Sequence, residues 1–171
     1  MFITMLAAQA VIISLVERTI PAPFAFAPGA KLGLGNLISL IAIFSLSPKD
    51  SFKVISLRLG VSTLLAGGFS SFLYALAGTL LSYLGMLASK QLGPRRVSLI
   101  GISTLGGILH NLGQLLVFSI LARSFAPLNY LPILAFSGIL SGFVVGLAGH
   151  FLLKKIAPLR TYYPELAKTW L

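Results

Sequence analysis

Residues 97–122 read VSLIGISTLGGILHNLGQLLVFSILA and contain no Asp, Glu, Lys or Arg. A helix needs about 20 mostly apolar residues to cross the ~30 Å hydrocarbon core of a bilayer. This stretch is long enough, so it predicts a membrane helix and sets the class of the protein. Outward from it the pattern repeats. Apolar runs predict helices over about 1–18, 32–47, 52–66, 69–89, 97–122 and 130–153. Pro21, Pro23 and Pro28 oppose continuation of the first helix, and Gly67-Gly68 punctuate the third and fourth. The expected fold is an all-α, six-transmembrane-helix bundle, with residues 1–171 forming one integral membrane domain.

The composition points the same way. The chain has 171 residues, of which 57% are hydrophobic and 9% charged, and its mean hydropathy is +0.97. An ordinary soluble domain carries about 25% charged residues. Absence of cysteine excludes disulfide staples and thiolate metal sites. The second and third runs are short, but a re-entrant hairpin would place Lys49, Asp50 and Lys53 at membrane depth. Each such charge costs about 2.5–3.5 kcal/mol, so two short spans are the cheaper arrangement.

A formal charge of +10 raises the possibility of a nucleic-acid partner. The basic residues, however, are scattered between apolar runs rather than gathered on one wetted face. Six spans put Lys49, Lys53, Lys90, Arg95, Arg96, Lys154, Lys155, Arg160 and Lys168 on one side, against Arg18, Lys31 and Arg123 on the other. That asymmetry predicts cytoplasmic N- and C-termini in the cell inner (cytoplasmic) membrane. The charge then reports topology, with the lipid bilayer as surroundings and no nucleic acid. The first run reads as a retained helix rather than a cleaved signal.

Candidate functional residues are those a membrane interior should exclude. Glu17 lies at the outer end of the first helix. Lys31 and Asn36 flank a glycine-rich entry to the second, PGAKLGLGN over 28–36, where they suit either a ligand or an interfacial loop. Arg58 falls inside the third span, where a structural pairing and an anionic ligand are both open. His110, Asn111 and Gln114 share one turn of the fifth helix, His110 and Gln114 on one face. At ~20 Å from Val97 they are expected in its outer half. Gly138, Gly142 and Gly146, and Gly78, Ser82 and Gly85, form small-residue stripes that read as helix-packing faces.

Glu17, Asp50 and Glu165 are the only acids. They offer neither a paired-carboxylate site nor an acidic Mg cluster, and no Walker loop is present. The expectation is a non-enzyme with no metal and no cofactor.

Glu17, the 28–36 segment, Arg58 and Gly107 with His110-Asn111-Leu112-Gly113-Gln114 resemble, in order and spacing, the Gx transporter family, also labelled heptaprenyl diphosphate synthase component I. The resemblance runs from about Glu17 to Gly149. That family is similar in size and six-helix layout to the substrate-binding S-components of energy-coupling-factor (ECF) transporters. The resemblance implies a subunit that takes up a small organic molecule, a vitamin or a quinone- or isoprenoid-related precursor. Its implied partners are a transmembrane coupling protein and cytoplasmic ATPases. The family label implies an alternative, a non-catalytic membrane subunit of a heptaprenyl diphosphate synthase or quinone-biosynthesis complex. The Ala-x-x-x-Ala face of similar S-components is not matched by Ala7, Ala8 and Ala10.

Overall fold

The structure, a computed structural model, describes residues 2–19, 34–66, 68–155 and 170. These form α1 (Phe2–Thr19), α2 (Gly35–Ser45), α3 (Pro48–Ala66), α4 (Phe69–Gln91), α5 (Leu99–Leu121) and α6 (Leu131–Lys155). A 3-10 turn, Ala126–Tyr130, leads into α6. There is no strand among the described residues.

Three helical segments are long and apolar enough to cross a membrane: Phe69–Gln91, Leu99–Leu121 and Ala126–Lys155. The other helices are shorter or more polar. The departure from the expected pattern is sharpest at α2, whose 11 residues rise only about 16 Å. Every residue of α2 except Leu37 is buried. A helix apolar all round belongs in a protein interior, and α2 sits there, against the other five helices. Hydropathy alone does not separate such a core helix from a lipid-facing one.

Helix α3 starts at Pro48 rather than at 52. Ser47 supplies the cap: its hydroxyl accepts from the Asp50 N–H at 3.2 Å and donates to Asp50 Oδ2 at 2.9 Å. Pro48 occupies the first turn, where its missing N–H costs nothing. The Asp50 carboxylate also takes a 2.9 Å bond from Lys53. Lys53 foremost, then Ser47, hold the Asp50 carboxyl below its ordinary range. Tyr83 donates to Pro48 O at 2.8 Å and lies 2.8 Å from Ser51 Oγ, tying the start of α3 to α4.

Glycine faces join α4, α5 and α6. Gly78 faces His110, and Gly106 faces Met86, across α4–α5; Gly107 faces Gly138, and Gly146 faces Ile100, across α5–α6. A Cβ on Gly142 would lie 2.6 Å from Thr104 Cα, so only glycine lets these backbones approach so closely. The pairings run in opposite senses, so α4, α5 and α6 alternate in direction. Arg58–Thr79 and Ser51–Tyr83 set α3 antiparallel to α4 in the same way.

Candidate functional site

The centre of the bundle holds a cavity of about 50 Å³ lined by Ser14, Glu17, Gly35, Asn36, Arg58, Leu59, Ser62, Ala75, Thr79, His110 and Gln114. Five helices contribute to it. Of the residues singled out in the sequence, Glu17, Asn36, Arg58, His110 and Gln114 come together here. Asn111 does not: its amide donates to Leu134 O at 2.8 Å, a link between α5 and α6. Lys31 lies outside the described residues.

The cavity lies level with the middle of three helices. Ser98 caps α5, accepting from the Gly101 N–H at 3.0 Å, and the helix runs Leu99–Leu121. His110 is therefore the middle residue of α5. Arg58 is likewise near the middle of α3, and Thr79 near the middle of α4.

The N-terminus of α2 forms one wall. Glu17 accepts from the backbone N–H groups of Leu34 and Gly35, each at 3.2 Å. A carboxylate at a helix N-terminus satisfies orphan donors and meets the positive end of the helix dipole. Arg58, 6% exposed, donates through Nη1 to Gly35 O and through Nη2 to Thr79 Oγ1 at 2.9 Å. A Cβ at residue 35 would sit 2.5 Å from Arg58 Nη1, so a larger residue there would push the guanidinium out of its place. Glu17 and Arg58 interact electrostatically across this wall.

On α5, Gln114 Nε2 and His110 Nε2 are 2.9 Å apart. With the amide nitrogen donating, His110 Nε2 is the acceptor of this bond. The Asn36 side chain, 5% exposed, makes no hydrogen bond among the described residues. Ser62, one turn beyond Arg58 on α3, is 7% exposed, and its hydroxyl has no partner there either. Buried polar groups are normally paired.

Ser14, Ser62 and Thr79 were not singled out in the sequence. A hydroxyl in a membrane helix carries little signal, because it bonds its own preceding turn, as Thr104 does to Ile100 O at 2.9 Å. Lys90 was assigned to a loop by its charge. Instead it reaches inward, donating to Ile43 O at 2.6 Å and lying 4.9 Å from the Phe44 ring centroid. Phe44 is also edge-on to Trp170, centroids 5.1 Å apart. Thus α2 has an acid at its N-terminal end and a base at its C-terminal end, as its dipole favours.

No group of His, Asp and Glu among the described residues is placed to hold a metal ion. The arrangement defines a class: a helical membrane protein with a small polar cavity at the centre of an apolar bundle. The family model described as heptaprenyl diphosphate synthase component I matches residues 6–152, and the chain belongs to that family. No curated protein and no solved structure matches it.

Proposed function

We propose that this protein is a membrane-embedded binding subunit, similar to an ECF S-component, that captures a small organic molecule in the central cavity. The observation that carries the reading is the pair of unpartnered, buried polar side chains, Asn36 and Ser62, beside Arg58. Leaving a buried polar group unpaired costs about 1–3 kcal/mol. Ser45, Ser82, Ser103 and Ser119 are also buried without a partner, but only Ser62 and Asn36 line the cavity, where a ligand can complete their hydrogen bonds. Helix α2 ending at mid-depth supports this, since broken helices in transporters present their termini to substrates near the midplane.

In this reading the single domain, 1–171, crosses the inner membrane six times with both termini cytoplasmic. Alternation of helix direction supports it, and so does the gathering of Lys90, Arg95, Arg96, Lys154 and Lys155 at one end. Glu17, Arg58 and Asn36 form the α2 side of the site, and His110 with Gln114 the α5 side. Lys31, outside the described residues, completes the proposed set from the sequence, with Asn111 holding α5 against α6. Uptake would be energised by a membrane coupling protein and cytoplasmic ATPases, the protein itself catalysing nothing.

Native mass spectrometry of gently extracted protein tests the capture reading. A retained small-molecule mass is expected in the parent protein, and its occupancy should fall in His110→Ala and Gln114→Leu. Equal occupancy in both variants and the parent refutes the site.

The family description favours a second reading, a non-catalytic membrane subunit of a heptaprenyl diphosphate synthase or quinone-making complex. It requires co-purification with a soluble synthase chain whose activity drops when this subunit is removed. Co-purification with ATPases instead favours uptake.

A further inference from the structure

We propose that the group seated in the central cavity is a small oxyanion, a carboxylate or phosphate of the captured molecule, held by Arg58, Asn36 and Ser62. This rests on the capture reading and gives its ligand a chemical class.

The argument is a census of donors and acceptors. A guanidinium has five N–H donors; those used by Arg58 go to Gly35 O and Thr79 Oγ1, both uncharged acceptors. Its remaining donors have no acceptor among the described residues. Asn36 adds an unpartnered amide NH₂ and Ser62 an unpartnered hydroxyl. On the acceptor side, both carboxylate oxygens of Glu17 already accept backbone N–H groups of α2. At α5, the Nε2 acceptor of His110 is taken by Gln114. The acceptors still open are uncharged, the amide oxygens of Asn36 and Gln114 and the Ser62 hydroxyl. The open donors include those of a charged guanidinium, so the strongest unmade bonds are ones that call for an acceptor. An acceptor-rich group completes the open donors of Arg58, Asn36 and Ser62.

Size sharpens the assignment. A water needs about 10–15 Å³ of such space, so about 50 Å³ admits a group of a few heavy atoms. A carboxylate or phosphate head fits these limits. The whole of a vitamin-sized molecule does not, so the rest of the ligand lies beyond this chamber.

The test uses the full chain in phosphatidylcholine nanodiscs, with the thermal unfolding midpoint read against sodium acetate, inorganic phosphate and acetamide. Acetate or phosphate is expected to raise the midpoint saturably, and the more effective of the two identifies the head group. Acetamide, the neutral counterpart of acetate, should leave the midpoint unchanged. Ser62→Ala and Asn36→Ala should raise the half-saturating anion concentration about tenfold or more, as loss of a hydrogen bond to a charged group does. Their unliganded midpoints should not fall, because neither side chain has a protein partner to lose. Acetamide acting as strongly as acetate overturns the anion assignment and leaves capture standing. So does the absence of any shift in a protein that retains a ligand mass. Absence of both shift and retained mass overturns both. Parent-like anion affinity in both variants overturns the assigned residues.

Discussion

Gly113→Ala and Gly60→Ala are the same chemical change at two helical positions, and the structure gives them opposite signs. A Cβ on Gly113 would lie 2.6 Å from Ala77 O and 2.8 Å from Gly78 Cα, all backbone of α4. No side chain there can swing aside, so α4 and α5 must part by roughly 0.8 Å to restore ordinary contact; a gap of 0.5–1 Å forfeits about a quarter to a half of each dispersion contact across it. Overpacking of this kind costs about 1–3 kcal/mol. Alanine's better helix propensity returns at most about 1 kcal/mol. The net expectation is a loss of about 1–2 kcal/mol, together with displacement of His110 and Gln114, which flank Gly113. At Gly60 the added Cβ meets nothing within 4 Å, so Gly60→Ala should be neutral or stabilising by up to about 1 kcal/mol. Unfolding in mixed micelles of dodecyl maltoside and sodium dodecyl sulfate measures both. If the two variants agree within about 0.5 kcal/mol, close backbone packing does not hold α4 to α5.

Glu17→Gln keeps one acceptor oxygen and loses the charge and the second, so α2 should lose about 1–2 kcal/mol of N-terminal support. Faster amide exchange at Leu34 and Gly35 is the direct readout, and unchanged protection there would contradict the clamp. Lys90→Met removes the donor at Ile43 O and the cation beside Phe44, for a loss of about 1–2 kcal/mol in the same micelle assay. Fluorescence of Trp170, the single tryptophan, should change with it, because Phe44 joins the two. The Asp50 carboxyl titrates below its ordinary 3.8, held down first by Lys53 and then by Ser47. A depressed folded-state value means its stabilising effect is complete above that ordinary value and is lost as pH falls through the lower one. Carboxyl-carbon NMR should show its midpoint rising toward 3.8 in Lys53→Met and in Ser47→Ala.

Legibility followed the cost of burial. Arg58, Glu17, Asn36 and His110 stood out because charged, amide and imidazole groups are expensive in an apolar run, and the structure brings all four to one cavity. Ser14, Ser62 and Thr79 did not, because a helix absorbs hydroxyls cheaply. Asn111 and His110 look alike in sequence, yet they point to different neighbours, α6 and α4, and only tertiary packing decides that. The glycine stripes on α4 and α6 were readable as close-packing faces, and both meet α5. The true start of α3 was present in Ser47-Pro48-Lys49-Asp50, a capping pattern, but the same residues also read as a charged loop. The brevity of α2 was hidden because burial in protein and burial in lipid select the same apolar residues. Lys90 was hidden for the converse reason: a basic residue near a helix end ordinarily snorkels to water.

The two clamps on α2 also fix an order of assembly. Its N-terminal acid, Glu17, precedes it in the chain, so that contact becomes available as soon as α2 is synthesised. Arg58 arrives next, on α3. The base at its other end, Lys90, closes α4 and emerges from the ribosome only after α3 and most of α4. Until then the Ile43 carbonyl has no lysine to receive, in a helix of 11 residues too short to cross a bilayer alone. The two clamps therefore become available at different points of the chain, the Glu17 contact with α2 itself and the Lys90 contact only with the end of α4. Synthesis of α4 supplies this second clamp, and α5 and α6, which also pack against α2, follow it in the chain.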